Sequence, residues 1–458
     1  MMRRRLLTLF VAAACTTSSS PTPVVTTIPI DVGGAPASAP RGRTTSPSAP
    51  PRAPATHSEQ PTRDLGVRDV GDTTIRVMLG VYPATPRVGG PSGIMLTDRS
   101  GGFMGRTNDA TAWRIERDGR MLRGVRSDGV PTSWAEGPLY ARALGGGLLD
   151  VAGKPYRGDA AFFGTDSGVM VVNVVRIDDY LRGVVPLEIG TRAPDDSAAI
   201  QAQAVTARSY AYVHLASPSA RNYDVTGGTQ DQVYGGVAAE TDVASQAVES
   251  TRTLVLKYAG RVVNAPYSST CGGSTAAASE LWRTNDEPYL QRVSDQIPGT
   301  GRYYCDIAPR FRWTKTLEAA TVNAALSRYL ASYAKVPNGR VGVAREVSVG
   351  GHTPSGRVAT TTITTDRGSF VVRGNDIRYV LRQPGGEILN STDFSVESIS
   401  AADGSLARLI IHGTGYGHGV GMCQWGAIGR ARAGQDFRLI LSTYYPGTTV
   451  GPAAADDR

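Results

Sequence analysis

The sequence predicts an α+β fold, β-rich with a few helices, and three observations carry that expectation. Hydrophobic residues make up 41% and charged residues 19% of the 458-residue chain, an ordinary globular balance with enough apolar side chains for a substantial core. The 54 Gly and 28 Pro imply many turns between short strands rather than a helical bundle. One Ala-rich segment, Ala198–Ala216, has the composition and flanking signals of a long helix, so helices are present but few.

At the N-terminus, Met1–Arg5 is basic and Leu6–Ala14 is apolar, ending in small residues at Cys15. That is the pattern of an export signal over residues 1–15, and its apolar run is about half the ~20 residues a membrane-spanning helix needs. Ala-Ala-Ala-Cys ahead of a Thr/Ser-rich stretch resembles a lipoprotein cleavage site, although Ala12 stands where a branched aliphatic residue is usual. Lipidation of Cys15 is therefore expected, with plain secretion as the alternative. From Thr16 to Pro61 the chain is mostly Ser, Thr, Ala and Pro without hydrophobic periodicity, so residues 16–65 read as a disordered tether.

Order is expected over residues 66–452, with 453–458 a short tail. Ile75–Tyr82 is a strand-like run, and Gly/Asp-punctuated short segments follow to about Gly164, which predicts a β-rich opening. Val169–Ile177 is another apolar strand, after which Asp178 and Asp179 start a helix through Tyr180, Leu181 and Val185. Pro194-Asp195-Asp196-Ser197 caps the Ala-rich helix, which stops at Ser217-Pro218. Thr253–Tyr267, Arg345–Val349, Ala359–Thr365 and Leu406–His412 read as strands, and Leu317–Tyr333 and Ala427–Ala433 as helices.

The net charge is +8, but Arg3, Arg4, Arg5, Arg41, Arg43, Arg52 and Arg63 against Asp31, Glu59 and Asp64 place half of it in the first 65 residues. No block of basic residues with interleaved aromatics occurs, so nucleic acid is not an expected partner. A mildly basic body suits an acidic polymer.

Several motifs follow one another along the chain: Val172-Asn173-Val174-Val175, Tyr180-Leu181-Arg182-Gly183-Val184-Val185-Pro186-Leu187-Glu188, and the helix Ala199–Ala211. Downstream lie Gln232-Val233-Tyr234, the turn Ser268–Gly273, the glycine-rich run Gly413–Ala427 and the closing Tyr444-Tyr445-Pro446-Gly447-Thr448. Together, with a core over about 169–275 and a closing motif over 411–450, they resemble the stage II sporulation protein D (SpoIID/LytB) family.

The resemblance implies a SpoIID-like fold around a glycan-binding groove, on an extracytoplasmic cell-surface protein that acts on bacterial peptidoglycan glycan strands. It implies a lytic transglycosylase cutting between N-acetylmuramic acid and N-acetylglucosamine, preferring strands whose stem peptides a cooperating amidase has removed. Glu188 matches the family's catalytic Glu. It follows the apolar run Val184–Leu187, where partial burial would raise its pKa; without the resemblance, a helix-end Glu paired with Arg192 is the simpler reading. Arg208, Tyr210, Gln232, Tyr234, Ser269, His418, Gln424 and Trp425 are the candidate substrate-binding residues. Tyr210, Tyr234, Tyr416 and Trp425 offer flat rings for sugar faces, but each also suits a core position.

Some family members bind zinc through Cys and His in the loop after the long helix. Here that loop, Asp224–Gln232, has neither residue type, so no metal and no cofactor are expected there. Cys271, Cys305 and Cys423 are odd in number, which in an oxidising compartment implies one disulfide and one free thiol; Cys271 with Cys305 is the preferred pair. Two competing readings stand beside the enzyme. One is a non-catalytic wall-binding enhancer of an N-acetylmuramoyl-L-alanine amidase. The other is a Cys423/His418 peptidase, disfavoured because no third residue orients the pair.

Replacing Cys15 with Ala is expected to release the protein from membranes into the medium, measured by fractionation; a variant that stays membrane-bound like the parent contradicts lipid anchoring.

Overall fold

The apolar run Gly168–Arg176 forms the middle of the largest sheet, and every residue from Gly168 to Asn173 is buried. Such a strand needs neighbours on both edges, and it has them in antiparallel Thr74–Tyr82 and Asp159–Thr165. The seven-stranded order is Val225–Thr226, Thr74–Tyr82, Gly168–Arg176, Asp159–Thr165, Leu139–Ala143, Ile94–Thr97, Phe103–Arg106. A six-stranded sheet between Arg87 and Tyr156 packs beside it. The computed structural model describes residues 73–216, 221–383 and 385–454. The expected export signal, the tether and Cys15 lie outside them.

One polar residue interrupts the central strand without weakening it. Asn173 is 1% exposed, and its side-chain amide donates 2.9 Å bonds to the carbonyls of both Arg157 and Asp159. Its Oδ1 accepts from the Tyr234 hydroxyl at 2.9 Å. All its capacity but one lone pair is used, which is the condition for burying an amide at little cost.

Helix α1, Ile177–Ile189, begins directly after this strand. Asp178 and Asp179 lie in its first turn, where negative charge meets the positive end of the helix dipole. It ends at Gly190, whose φ of 82° is open to glycine and costly for other residues. Helix α2, Ser197–Ala216, is buried on nearly every side from Ala199 to Tyr212. A helix apolar all round belongs inside the molecule, and its alanines let others approach closely. Around it pack α1, α3 (Asp242–Ser250), the strand Leu254–Tyr258, and two later helices.

Arg208 fastens this cluster. It is 1% exposed and forms a 2.9 Å ion pair with Asp178 of α1. Its Nη1 donates to the carbonyls of Thr251 (2.8 Å) and Leu254 (3.0 Å), and its Nη2 to that of Val248 (3.2 Å). The guanidinium is therefore spent on the fold. Its expected place in the substrate groove is corrected to a structural one.

A second hydrophobic core lies between Leu317 and Ile411. Two three-stranded sheets build it: Arg312–Glu318, Leu406–Thr414 and Asp393–Ser400 in one, and Ala344–Val349, Thr360–Thr365 and Gly368–Arg373 in the other. The helix expected over Leu317–Tyr333 is in fact the end of a strand followed by α5, Ala319–Tyr329. The alternating segment Arg312–Glu318 pairs along its whole length with Leu406–Thr414, Leu317 opposite Leu409, and tertiary pairing overrides the helix signal there. The strand expected over Thr253–Tyr267 is broken at Ala259-Gly260, both with positive φ, which fold it into a hairpin.

The last elements close onto the first core. Two residues, Tyr267 and Ser268, pair in parallel with Met422 and Cys423. With α4 (Ala278–Leu281) and α6 (Asp376–Val380) between, α7 runs Gln424–Arg432 and α8 Phe437–Tyr444. Helix α7 starts three residues before the expected Ala427 because Cys423 caps it, its Sγ accepting the Gly426 N–H at 3.2 Å. Asp196 is drawn away from capping α2 into a 2.7 Å ion pair with Arg432 of α7. No described helix is long and apolar enough to cross a membrane.

Replacing Arg208 with Ala takes from Asp178 its nearest cation, leaving Arg252 at 3.7 Å, removes a donor from three carbonyls, and is expected to cost about 3 to 5 kcal/mol in urea unfolding. An unchanged urea midpoint with a raised KM for glycan would instead put the guanidinium in the groove.

Candidate functional site

Glu188 sits in the last turn of α1, just past Pro186 and beside the half-exposed Leu187. Its Oε1 accepts the Val233 N–H at 2.8 Å, and the Tyr267 hydroxyl also hydrogen-bonds the carboxylate. Burial pushes the carboxyl above the usual carboxylate range, while these two donors pull the other way. The burial effect prevails, so the group keeps its proton at a pH where a free Glu has lost it. Arg192 does not neutralise it: its Nε donates to the Ile189 carbonyl at 2.8 Å, and its guanidinium lies 4.4 Å over the Trp425 ring. Among the described residues, no ion pair involves Glu188.

The surrounding residues come from five segments. Gln232 is 1% exposed, and its amide bridges the Tyr180 hydroxyl (3.2 Å) and the Tyr267 hydroxyl (3.1 Å). It holds Tyr267 in place for Glu188 and has no free face for a sugar. Gln424, also buried, donates to the Glu188 backbone carbonyl at 3.0 Å and to Gln203 Oε1 at 3.2 Å. Both glutamines thus move from the expected substrate contacts to positioning groups. Tyr234 is a core residue, its ring 5.0 Å from that of Tyr180 and 5.9 Å from that of Tyr156. With its hydroxyl given to Asn173, it has no ring face to offer a sugar.

Four expected contacts keep accessible surface. Tyr210 donates to Asp231 Oδ1 at 2.9 Å and packs against the His214 ring at 4.1 Å. Trp425 carries the Arg192 cation on one face, and its backbone N–H donates to the Ser269 carbonyl at 3.0 Å. His418 Nδ1 accepts the Val420 N–H at 3.1 Å, the ring packs on Trp282, and a hydrogen bond reaches the Tyr267 backbone. Burial, helped by the cation of Arg378, pushes the His418 pKa down to about 3, so it is a neutral polar group at physiological pH. Tyr416 lies under the Arg310 guanidinium at 4.5 Å.

Tyr267 is the residue that sequence reasoning missed. Its position directly before the Ser268–Gly273 turn was the available signal, but its contact with Glu188 spans 79 residues and depends on Gln232 and the pairing with Met422. A cavity of ≈ 690 Å³ lies elsewhere, lined by Arg312, Trp313, Phe394 and His412 among others, and shares no residue with this neighbourhood.

The cysteines depart from expectation. Cys271, Cys305 and Cys423 are free thiols, all buried. The Cys271 and Cys305 sulfurs are 3.5 Å apart, well beyond the roughly 2.05 Å of a disulfide bond. Cys423, expected to stand alone, lies in the same cluster.

The chain resembles known proteins over both of its cores. A family model described as "Stage II sporulation protein" matches residues 165–258, which hold α1, α2 and Glu188, and a domain of unknown function matches 302–421, the second core. An uncharacterized protein of Brachyspira hyodysenteriae is 32% identical over 301 residues, 65% of this chain and 73% of that one. A Bacillus subtilis protein named "Amidase enhancer" is 30% identical over 300 residues, covering 59% of this chain and 40% of the relative. The "Stage II sporulation protein D" of Bacillus subtilis is 30% identical over 300 residues, 62% of this chain and 77% of that one. With that coverage, and with the family's motifs converging on one carboxyl, the chain belongs to the stage II sporulation protein D (SpoIID/LytB) family.

Proposed function

We propose that this protein is a peptidoglycan lytic transglycosylase in which Glu188 is both general acid and general base. The observation that carries the reading is the environment of that one carboxyl: burial favours its neutral form, while the Val233 N–H and the Tyr267 hydroxyl stand ready for its anion. A group balanced in this way can give a proton and take one back within a single turnover. Protonated Glu188 donates to the glycosidic oxygen between N-acetylmuramic acid and N-acetylglucosamine as the C1–O bond breaks. The resulting carboxylate then accepts the proton of the C6 hydroxyl of the same muramic acid, whose oxygen closes on C1. No water enters, so no second carboxylate is needed to activate one, in contrast to paired-carboxyl glycosidases.

The half-buried Tyr210, Trp425, His418 and Ser269 are the surfaces offered to the sugar rings and their amides in this reading. Gln232 and Gln424 act behind them, fixing Tyr267 and the end of α1. The substrate is peptidoglycan whose stem peptides an amidase has removed, met outside the cell by a protein held on its surface by lipid at Cys15 or secreted. The likeness to a protein named "Amidase enhancer" favours one second reading, in which the same groove binds glycan and assists an amidase without turnover.

The test is Glu188→Gln, which keeps the acceptor for Val233 but cannot transfer a proton. Turnover on peptide-stripped glycan strands is expected to fall by about 10² to 10⁴, with binding retained; unchanged turnover would remove Glu188 from the chemistry. Stability moves the other way. Because the folded-state pKa is raised, the folded chain binds this proton more tightly than the unfolded chain. The stabilisation is therefore full below the ordinary Glu range and is lost as pH rises through the raised value. The Gln variant escapes that loss, so its Tm at neutral pH is expected to equal or exceed the parent's, with the difference shrinking on acidification.

A further inference from the structure

Outside the Glu188 site, the reactive side chains gather in one place. Cys271, Asp295, Cys305 and Cys423 come from four separate segments, all are buried, and one ligand atom from each lies within 4.8 Å of every other. Cys271 Sγ is 3.5 Å from Cys305 Sγ and 3.7 Å from Asp295 Oδ2. Tetrahedral zinc, with bonds of about 2.3 Å to sulfur and about 2.1 Å to oxygen, sets ligand-to-ligand edges of roughly 3.6 to 3.8 Å. We propose that Cys271, Cys305, Cys423 and Asp295 form a closed, buried structural site for one zinc(II) ion.

The shell around the four ligands fits that assignment. Asp295 Oδ1 is held by the Tyr444 hydroxyl at 2.7 Å and the Arg430 guanidinium at 3.0 Å, which turns Oδ2 toward the thiols. Metal-binding carboxylates are oriented by such outer partners. Cys423 Sγ accepts two backbone N–H groups, from Cys271 and Gly426, each at 3.2 Å, donors suited to a thiolate. Gly426 must be glycine, since a Cβ there would lie 2.0 Å from the Tyr444 hydroxyl and 2.2 Å from Asp295 Oδ2.

The charges close as well. Arg357 is 1% exposed, donates to the Cys271 carbonyl at 2.7 Å, and leaves Nε and Nη1 buried without a hydrogen-bond partner. Among the described residues it makes no ion pair. Asp393 is the carboxylate that acts on it most, with the Cys271 thiol next, and a buried cation with no direct ion pair is costly. Three thiolates and one carboxylate around zinc carry a net charge of two minus, which Arg357 and Arg430 offset. Binding displaces the thiol protons into solvent and transfers no electrons. A Cys271–Cys305 disulfide would instead take from Asp295 Oδ2 the Cys271 thiol that meets it at 3.7 Å.

This site lies apart from the loop Asp224–Gln232, and it does not depend on the glycan reading. Its role is mechanical: it joins the Ser268–Gly273 turn, the segments at 295 and 305, and the N-terminus of α7, from which Gln424 reaches the Glu188 carbonyl.

The test uses the full chain carrying Cys15→Ala, so that the only thiols are those of the cluster. After refolding with zinc(II) and exhaustive dialysis, elemental analysis is expected to find one zinc per chain, and a chelator is expected to lower the Tm. Cobalt(II) in place of zinc is expected to give the near-ultraviolet absorption of thiolate-to-cobalt charge transfer, reduced in Cys305→Ser. These spectra and stoichiometries are read on the otherwise unaltered chain, so a variant that fails to fold does not decide the matter. Zinc well below one per chain, or a Cys271–Cys305 disulfide in peptide maps made without reduction, overturns the proposal.

Discussion

The parallel pairing of Tyr267 and Ser268 with Met422 and Cys423 is the constraint on which the rest of the site depends. Two residues a side make a weak ladder on their own, and the neighbouring glycines make it possible. A Cβ at Gly421 would lie 2.0 Å from the Pro266 carbonyl oxygen, and one at Gly417 would lie 2.6 Å from Ser268 Cβ. The glycine-rich run is therefore an instrument of close approach, packed against the 266–271 segment, rather than a mobile or phosphate-binding loop. Tyr445 locks the pairing from behind, donating to the Pro266 carbonyl and accepting the Met422 N–H.

From that pairing two clusters of side chains follow. On one side Tyr267 meets Glu188, and Gln424, one residue beyond the pair, grips the end of α1. On the other side Cys423 meets Cys271 and Cys305. The closing Tyr444-Tyr445 serves both, one hydroxyl on Asp295 and the other on Pro266. Motifs separated by more than 150 residues thus form one structure, because each supplies either a wall or a clamp for the same short α1 terminus.

The sequence made visible what is local. The Ala-rich helix, the Val169–Ile177 strand and the helix begun by Asp178 and Asp179 declare themselves by periodicity and caps, and the structure has them within a residue or so. Glu188 stands out by its place in the Gly183–Glu188 motif. What a motif cannot tell is which way a residue faces. Arg208, Gln232, Tyr234 and Gln424 stand out in the motifs as substrate contacts, yet all four are buried and spend their polar atoms on the scaffold. Tyr267, Asp295 and Arg357 were not visible at all, because their importance arises from partners brought together by tertiary packing. The strand Arg312–Glu318 was read partly as helix for the same reason, since its partner Leu406–Thr414 lies some 90 residues away.

The central claim is that one carboxyl, tuned by burial against two donors, both breaks the glycosidic bond and hands the C6 oxygen to C1. The most direct measurement is the mass of the fragments that the parent protein releases from peptide-stripped glycan strands. The account predicts fragments ending in 1,6-anhydro-N-acetylmuramic acid. Fragments with reducing ends would show that water had attacked, and bound but uncut strands would show a binding module; either result contradicts it.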